Sequence, residues 1–169
     1  MPRWTFEVTP DTLSKAEKDT LAQAITNNYV KSGIPAFLVN VFFHENRIGT
    51  FYSGGKTPPN TVFFVLDHAA RSFPNEEVRL AFIDSVNKIV EPVLAPKGVK
   101  WEYNIYEHPA DNWRVNGMIP PVQQKKLWEQ WINQNEAVKY GEVRNGTSIV
   151  FVHISLYGLG SMYALQGYY

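Results

Sequence analysis

The sequence predicts an α+β fold: two β-α-β units forming one four-stranded sheet with two helices on one face, plus a C-terminal helix and strand extension. Three observations predict it. Short alternating or β-branched runs flank two segments of helical period. That strand–helix–strand order occurs twice, with a spacing of about sixty residues. A third helical run and a last strand-like run follow both rounds. The two rounds match in pattern, not in residues.

Residues 2–9 alternate, with Trp4, Phe6 and Val8 on one side and Arg3, Thr5 and Glu7 on the other. That is a strand with one buried face, and Pro2 stands at its first position, where no ladder bond is lost. Residues 14–32 predict a helix. Ser14 and Glu17 make a capping box and Leu13 precedes it. Leu21, Ala24, Ile25 and Asn28 trace one stripe, with Tyr29 at its edge. Gly33 caps the helix and Pro35 stops it. Residues 36–43 are aromatic and β-branched and predict the second strand.

Residues 44–60, with Ser53-Gly54-Gly55 and Pro58-Pro59, predict a loop. Residues 61–66 predict the third strand. A second helix opens at Pro74, with Ser72 or Asn75 as its cap and Val78, Ala81, Phe82, Val86, Ile89 and Val93 on its apolar stripe. Pro92, Pro96 and Gly98 end it, and residues 99–106 return as a strand. Residues 107–121 predict a long irregular loop, a kind that is often functional. Residues 122–140 predict a third helix with Leu127, Trp131 and Val138 on one stripe and Trp128 and Ile132 beside it. Residues 148–157 predict a last strand, followed by a Gly- and Tyr-rich tail that packs on something.

With 169 residues the chain is expected to be one domain, 1–169, with its core in 2–106 and an extension over 107–169. Helices on one face of the sheet leave the other in need of a cover. An aromatic-rich sheet with uncharged flanks favours a second subunit for it. Lys plus Arg and Asp plus Glu both number 16, so neither a basic field for nucleic acid nor a polybasic membrane patch is present. The absence of cysteine excludes disulfides, thiol catalysis and Cys-based zinc sites. The four histidines show no metal-binding spacing. Charged residues throughout the first twenty positions leave no signal h-region, and no apolar run is long enough to span a bilayer, so a cytoplasmic protein is expected. Asn145-Gly146-Thr147 reads as a turn.

Generic chemistry motifs are few. Gly54-Gly55-Lys56-Thr57 lacks the first glycine of a phosphate loop, because Thr50 stands in its place, and reads as a turn. Glu107 and Asp111 in the long loop have the residue types of an acid/base pair, but a solvated loop face accounts for them better. Pro2 carries more. Initiator methionine is normally removed before a small residue, and the chain would then begin with a secondary amine. A free α-amino group titrates near about 7.7–8.0, within reach of general base chemistry at neutral pH.

Met-Pro opening a strand, followed by two β-α-β units, resembles the tautomerase superfamily. Leu21-Ala22-Gln23-Ala24-Ile25-Thr26 with Asn27-Asn28-Tyr29, His68-Ala69-Ala70-Arg71-Ser72 and Glu107-His108-Pro109-Ala110 are similar to its cis-3-chloroacrylic acid dehalogenase-like branch, in the longer, aromatic-rich form seen in fungi. The resemblance covers residues 2–120. It implies a homotrimer with the amino-terminal proline at the floor of each pocket, a small carboxylate as substrate, and no cofactor or metal. Pro2 matches the catalytic proline. Arg71 matches the first of two arginines that hold the substrate carboxylate. Pro74 stands where the second is expected, with His68 as the nearest other polar candidate. Tyr29 takes the place of a histidine on the first helix. The tyrosine that positions water falls on Asn104, beside Tyr103 and Tyr106. The glutamate that activates water falls on Val115, flanked by Arg114 and Asn116.

The resulting expectation is a proline-dependent tautomerase or lyase-type enzyme, not a dehalogenase. Pro2 shuttles the proton, Arg71 with Arg114 binds the carboxylate, and Tyr29, His68, Tyr103 and Asn104 shape the pocket. The competing readings are a non-catalytic trimeric binding or structural protein on the same fold, and a biosynthetic enzyme for a larger substrate.

Overall fold

The computed structural model describes residues 2–69 and 72–140. Strand β1 (Arg3–Val8) leads through helix α1 (Lys15–Lys31) to strand β2 (Asn40–Glu45). Strand β3 (Thr61–Ala69) leads through helix α2 (Glu76–Leu94) to strand β4 (Lys100–His108), and helix α3 (Lys125–Gln134) follows. All of these lie within Met1–Val138. The sheet order is β2-β1-β3-β4. Each β-α-β unit contributes a parallel pair, and the two units join through antiparallel β1 and β3. Arg71, the strand predicted at 148–157, the Asn145-Gly146-Thr147 turn and the Tyr-rich tail lie outside the described residues.

The core fills the space between one sheet face and the two long helices. Trp4, Phe6 and Val8 of β1 and Val62, Phe64 and Leu66 of β3 meet Leu21, Ile25 and Tyr29 of α1 and Val86, Val90 and Leu94 of α2. The register aligns Phe43, Phe6, Phe64 and Tyr103 in one row across all four strands. Their rings stack at centroid separations of 4.9, 4.7 and 4.9 Å. Such aromatic pairs add about 0.5–1.5 kcal/mol each beyond the area they bury. The aromatics of this sheet face therefore belong to the core.

Helix α1 begins at the predicted capping box. Ser14 Oγ accepts the Glu17 N–H and Glu17 Oε2 accepts the Ser14 N–H at 2.7 Å. Lys97 binds the same carboxylate and donates to the Thr12 carbonyl at 2.6 Å, tying the start of α1 to the turn after α2. At the other end Ser32 is the cap and Gly33 lies just beyond it, at φ +77°. Gly33 N–H bonds the Val30 carbonyl and Ile34 N–H bonds the Tyr29 carbonyl, the paired bonds of a Schellman motif.

Several expectations shift. The second strand begins at Asn40. Ala36–Leu38 instead forms a 3-10 turn after Pro35, in which Leu38 is buried and Phe37 packs against Trp131. Strand β3 continues past Leu66 to Ala69, because β4 pairs with it as far as His108. Asn75, not Ser72, caps α2. The helix runs through Pro92 to Leu94, held by fully buried Val90 and Leu94 despite the backbone bond that proline removes. The buried stripe of α2 is Val86, Val90 and Leu94, so Val78 is exposed. Tyr29 lies on the buried stripe of α1, not at its edge. Helix α3 is ten residues long and ends at Asn135, whose φ of +50° is a left-handed conformation that asparagine tolerates. Val138 falls beyond it, and its carbonyl accepts Trp131 Nε1–H.

The uncovered sheet face mixes charged, polar and apolar side chains. It presents Arg3, Glu7, His44, Asp67 and Asn104 among Thr5, Phe42, Phe63, Val65 and Tyr106. Asp67 takes hydrogen bonds from Arg3 and His108 at 2.8 Å each, and Glu7 binds His44 and Asn46.

Candidate active site

A pocket of about 480 Å³ opens where the start of β1 meets the C-terminal end of α1 and the first turn of α2. Pro2 lies in its wall and is buried. The Pro2 carbonyl accepts the Asn40 N–H at 3.0 Å, which fixes this residue against β2. Arg3 pairs with Asp67, so one more step along the antiparallel register sets Pro2 beside His68. Trp4 and Leu66 point into the core, so alternation places Pro2 and His68 on that same helix-facing side.

Aromatic rings make most of the remaining wall. His68 stacks on Phe73 at 4.7 Å and 10°, and meets Phe82 at 4.7 Å. Phe73 and Phe82 touch at 5.3 Å, and Tyr29 closes the group 6.2 Å from His68. The Phe73 N–H donates to Glu107 Oε1 at 2.8 Å, which anchors the loop before α2 to β4. Asn28, Ser32, Ile34, Ser72, Pro74 and Val78 complete the lining.

The site carries little charge. Among the described lining residues there is no Asp, Glu, Lys or Arg. Tyr29 is pushed up to about 12 by burial, against the opposing effect of its bond from Trp4, so its hydroxyl is neutral at any physiological pH. Its oxygen accepts Trp4 Nε1–H at 3.2 Å, which leaves the hydroxyl proton free to be donated. Among the described residues no group of His, Cys, Asp and Glu is arranged to hold a metal ion.

Of the residues singled out from sequence, the fold brings together Pro2, Tyr29 and His68, with Pro74 at the rim. Tyr103 does not line this pocket. Its ring belongs to the aromatic row and its hydroxyl donates to Asn87 at 2.9 Å. Asn104 is exposed on the uncovered face, in register with Val65. Arg114 is also exposed and spends its guanidinium on the carbonyls of Asp111 and Trp113. Val115 sits in a tight turn bridged to Met118. Glu107 and Asp111 are exposed and line no pocket wall here. Gly54-Gly55 forms the turn between Ser53 and Lys56, with φ of +59° and +76°, a hairpin corner and not a phosphate cradle. Sequence reasoning missed Phe73 and took Phe82 as simple core. Asn28 was the available signal, a polar side chain on an apolar stripe.

Residues 1–136 match the protein family described as "Putative oxalocrotonate tautomerase enzyme". The chain belongs to the tautomerase superfamily. It is similar to a "probable enzyme" from the thermophilic fungus Aspergillus fumigatus, with 39% identity and a TM-score of 0.80, over 83% of this chain and 98% of that one. RhCC from Rhodococcus jostii RHA1 is 32% identical with a TM-score of 0.77, over 82% of this chain and 99% of RhCC. N1, a member of the cis-3-chloroacrylic acid dehalogenase family, is 15% identical over 79% of this chain and 97% of N1. Its TM-score of 0.63 shows the shared fold. No curated protein matches the chain. The tautomerase core thus accounts for both β-α-β units, and the matched span reaches past the end of α3. Among the described residues, no helix of this tautomerase-superfamily chain is long and apolar enough to cross a membrane.

Proposed function

We propose that this tautomerase-superfamily protein is a proline-dependent tautomerase or lyase-type enzyme acting on a small α-keto or unsaturated carboxylic acid. The observation that carries the reading is Pro2, buried at the head of β1 in the wall of a pocket and set beside His68. The chemistry requires removal of Met1, which frees a secondary amine at that point. Burial favours the neutral, proton-accepting form of such an amine. It takes the hydroxyl proton of an enol and returns a proton to the adjacent carbon. The C=C bond becomes C–C, a C–H bond replaces the O–H bond, and C–O becomes C=O, with no atom gained or lost. Tyr29 donates a hydrogen bond to the substrate oxygen and keeps its proton, and Arg71 clamps the carboxylate by paired hydrogen bonds.

The lining also favours one substrate shape. A box of His68, Phe73, Phe82 and Tyr29 suits a flat apolar group. A second carboxylate there would lose its hydration without a partner among the described lining residues. Phenylenolpyruvate therefore suits the site better than 2-hydroxymuconate. Tyr103, Asn104 and Arg114 line no part of their own chain's pocket, so any contribution from them comes from another copy. That is consistent with a homotrimer, whose test is light scattering: a monomer at micromolar concentration would remove the trimer from the reading.

The decisive experiment is mass spectrometry of the purified chain with and without an acetylenic α-keto acid. Such a reagent is attacked at its alkyne carbon by a nucleophilic amine. The expected result is a chain lacking Met1 that gains one reagent molecule on Pro2 and loses its turnover of phenylenolpyruvate. Retained Met1, or labelling elsewhere with turnover intact, overturns the reading.

A further inference from the structure

Helix α3 is not part of either β-α-β unit, yet it grips the segment that forms one wall of the Pro2 pocket. Its sequence, KKLWEQWINQ, is polar apart from one short stripe. Trp128 and Trp131 lie three residues apart, on one side of the helix, and both are buried. Trp128 Nε1–H donates to the Gly33 carbonyl at 2.8 Å. At the end of the helix, Asn135 Oδ1 accepts the Phe37 N–H at 2.9 Å, and Phe37 packs on Trp131 at 5.8 Å.

Those contacts fall on a short connection with functional ends. Gly33 stands between Ser32 and Ile34, both of which line the pocket. Just beyond the connection, the Asn40 N–H holds the Pro2 carbonyl. The connection takes its direction at Gly33, whose φ of +77° is available to few other residues. A carbonyl at such a corner rotates with the peptide plane that carries Ile34. Fixing the Gly33 carbonyl therefore fixes where the Ile34 side chain enters the pocket. Trp131 makes a comparable bond from the same helix, but its N–H goes to the carbonyl of Val138, which does not line the pocket.

We propose that α3 is a positioning device for the substrate pocket and that Trp128, through the Gly33 carbonyl, is a positioning residue that sets the Ile34 wall. The proposal rests on the Pro2 pocket being the catalytic one.

The test compares Trp128→Phe with Trp131→Phe in the full-length protein. Each removes one indole N–H from α3 and keeps an aromatic ring. Trp128→Phe is expected to raise KM for phenylenolpyruvate about threefold to tenfold, the range that one neutral hydrogen bond covers. Its kcat stays within about twofold, and the pH profile of kcat/KM, which reports Pro2, does not move. Trp131→Phe, which keeps a ring against Phe37 and loses only the bond to the Val138 carbonyl, raises KM less than Trp128→Phe does. Equal effects of the two variants on KM, or no effect of either, overturn the proposal, since a helix that merely stabilises the fold would not distinguish them. Amide hydrogen exchange gives a readout that needs no substrate. Ser32, Gly33 and Ile34 should exchange at least tenfold faster in Trp128→Phe and at the wild-type rate in Trp131→Phe. If the wild-type protein turns over no enol, the functional reading fails. The exchange difference then still decides whether Trp128 holds the wall.

Discussion

Trp4 Nε1 donates a 3.2 Å hydrogen bond to Tyr29 Oη, joining the centre of the sheet to the wall of the Pro2 pocket. Trp4 is fully buried and Tyr29 nearly so. A buried donor left without its acceptor loses its hydration and gains nothing in return. Tyr29→Phe is therefore expected to lower stability by about 1–3 kcal/mol, measured as a shift in the urea midpoint at constant slope. A midpoint within error of wild type would mean that water replaces the tyrosine oxygen. The same residue predicts an alkaline limit. Burial raises the Tyr29 pKa from its ordinary value near 10 to about 12. A group raised on folding contributes stability below its unfolded pKa and loses it as pH climbs through the folded one. Stability should fall between about pH 10 and 12, and the fall should be shallower in Tyr29→Phe.

Glu17 predicts the opposite limit. Hydrogen bonds from Lys97 and from Ser14 hold its carboxyl down at about 2, well below its ordinary 4.5. A carboxyl depressed on folding contributes stability above its unfolded pKa and loses it as pH falls through the folded one. Stability should decline between about pH 4.5 and 2, and Glu17→Gln should flatten that part of the profile. At pH 7 the substitution removes an ion pair but can keep the backbone capping bond, so the cost should be near 1 kcal/mol. Thermal unfolding of both proteins across pH 2–7 measures it. An unchanged acid limb in Glu17→Gln would assign the acid sensitivity to another carboxylate, of which Asp67 is the first candidate. Burial alone would raise Asp67, but the bonds from His108 and Arg3 outweigh it and hold it low.

The elements were legible wherever a local signal was complete. The Ser14–Glu17 box, the Gly33 corner and the alternation of Trp4, Phe6 and Val8 each depend on neighbours within a few positions, and each appears as read. The errors lie where tertiary contacts override the local pattern. Ala36–Leu38 reads as strand, yet turns so that Leu38 enters the interior and Phe37 meets Trp131, ninety-odd residues away in sequence. Pro92 reads as a helix stop, yet buried Val90 and Leu94 carry the helix past it. On the open sheet face, the alternation of β1 already shows Arg3, Thr5 and Glu7 turned away from the core. The pairing of Arg3 with Asp67 is visible only in the register.

The site was legible in a different way. Pro2, Tyr29 and His68 lie on three elements, and nothing in their spacing brings them together; the resemblance supplied them. Tyr103 and Asn104 came from the same resemblance, but adjacent residues on a strand face opposite ways. One entered the aromatic row and the other faces outward. Phe73 gave no periodic signal at all, because it precedes α2 and is placed by Glu107.

Substrate chemistry separates two activities on this fold. Hydrolytic dehalogenation needs a carboxylate to activate water, and the resemblance puts Val115, in a turn with Met118, where that residue is expected. No carboxylate stands among the described lining residues. The protein with a free Pro2 should ketonise phenylenolpyruvate and do little to 3-chloroacrylate, followed by enol absorbance and chloride release respectively. Chloride release faster than ketonisation would place a water-activating group in the pocket and overturn the assignment at Val115.

The amine and the clamp should fail in different ways. Pro2→Ala leaves a primary amine that is more flexible and differently basic at the same place, so turnover should fall while carboxylate binding largely persists. Arg71→Ala removes a charge-assisted contact worth about 1.5–3 kcal/mol, so KM should rise by about tenfold to a hundredfold. Turnover falls with it only if the clamp also positions the reacting carbon over the amine. Steady-state kinetics on phenylenolpyruvate measure both, with circular dichroism to show that each variant is folded. The pocket sharpens the second expectation. Without Arg71 its described walls offer a carboxylate only uncharged donors such as Asn28 and Tyr29, with His68 beside them. Binding that survives in Arg71→Ala should therefore be weak, and should weaken further in the double variant with His68→Phe. An Arg71→Ala protein that is folded and has wild-type KM would make Arg71 a structural residue and move the clamp to another copy of the chain.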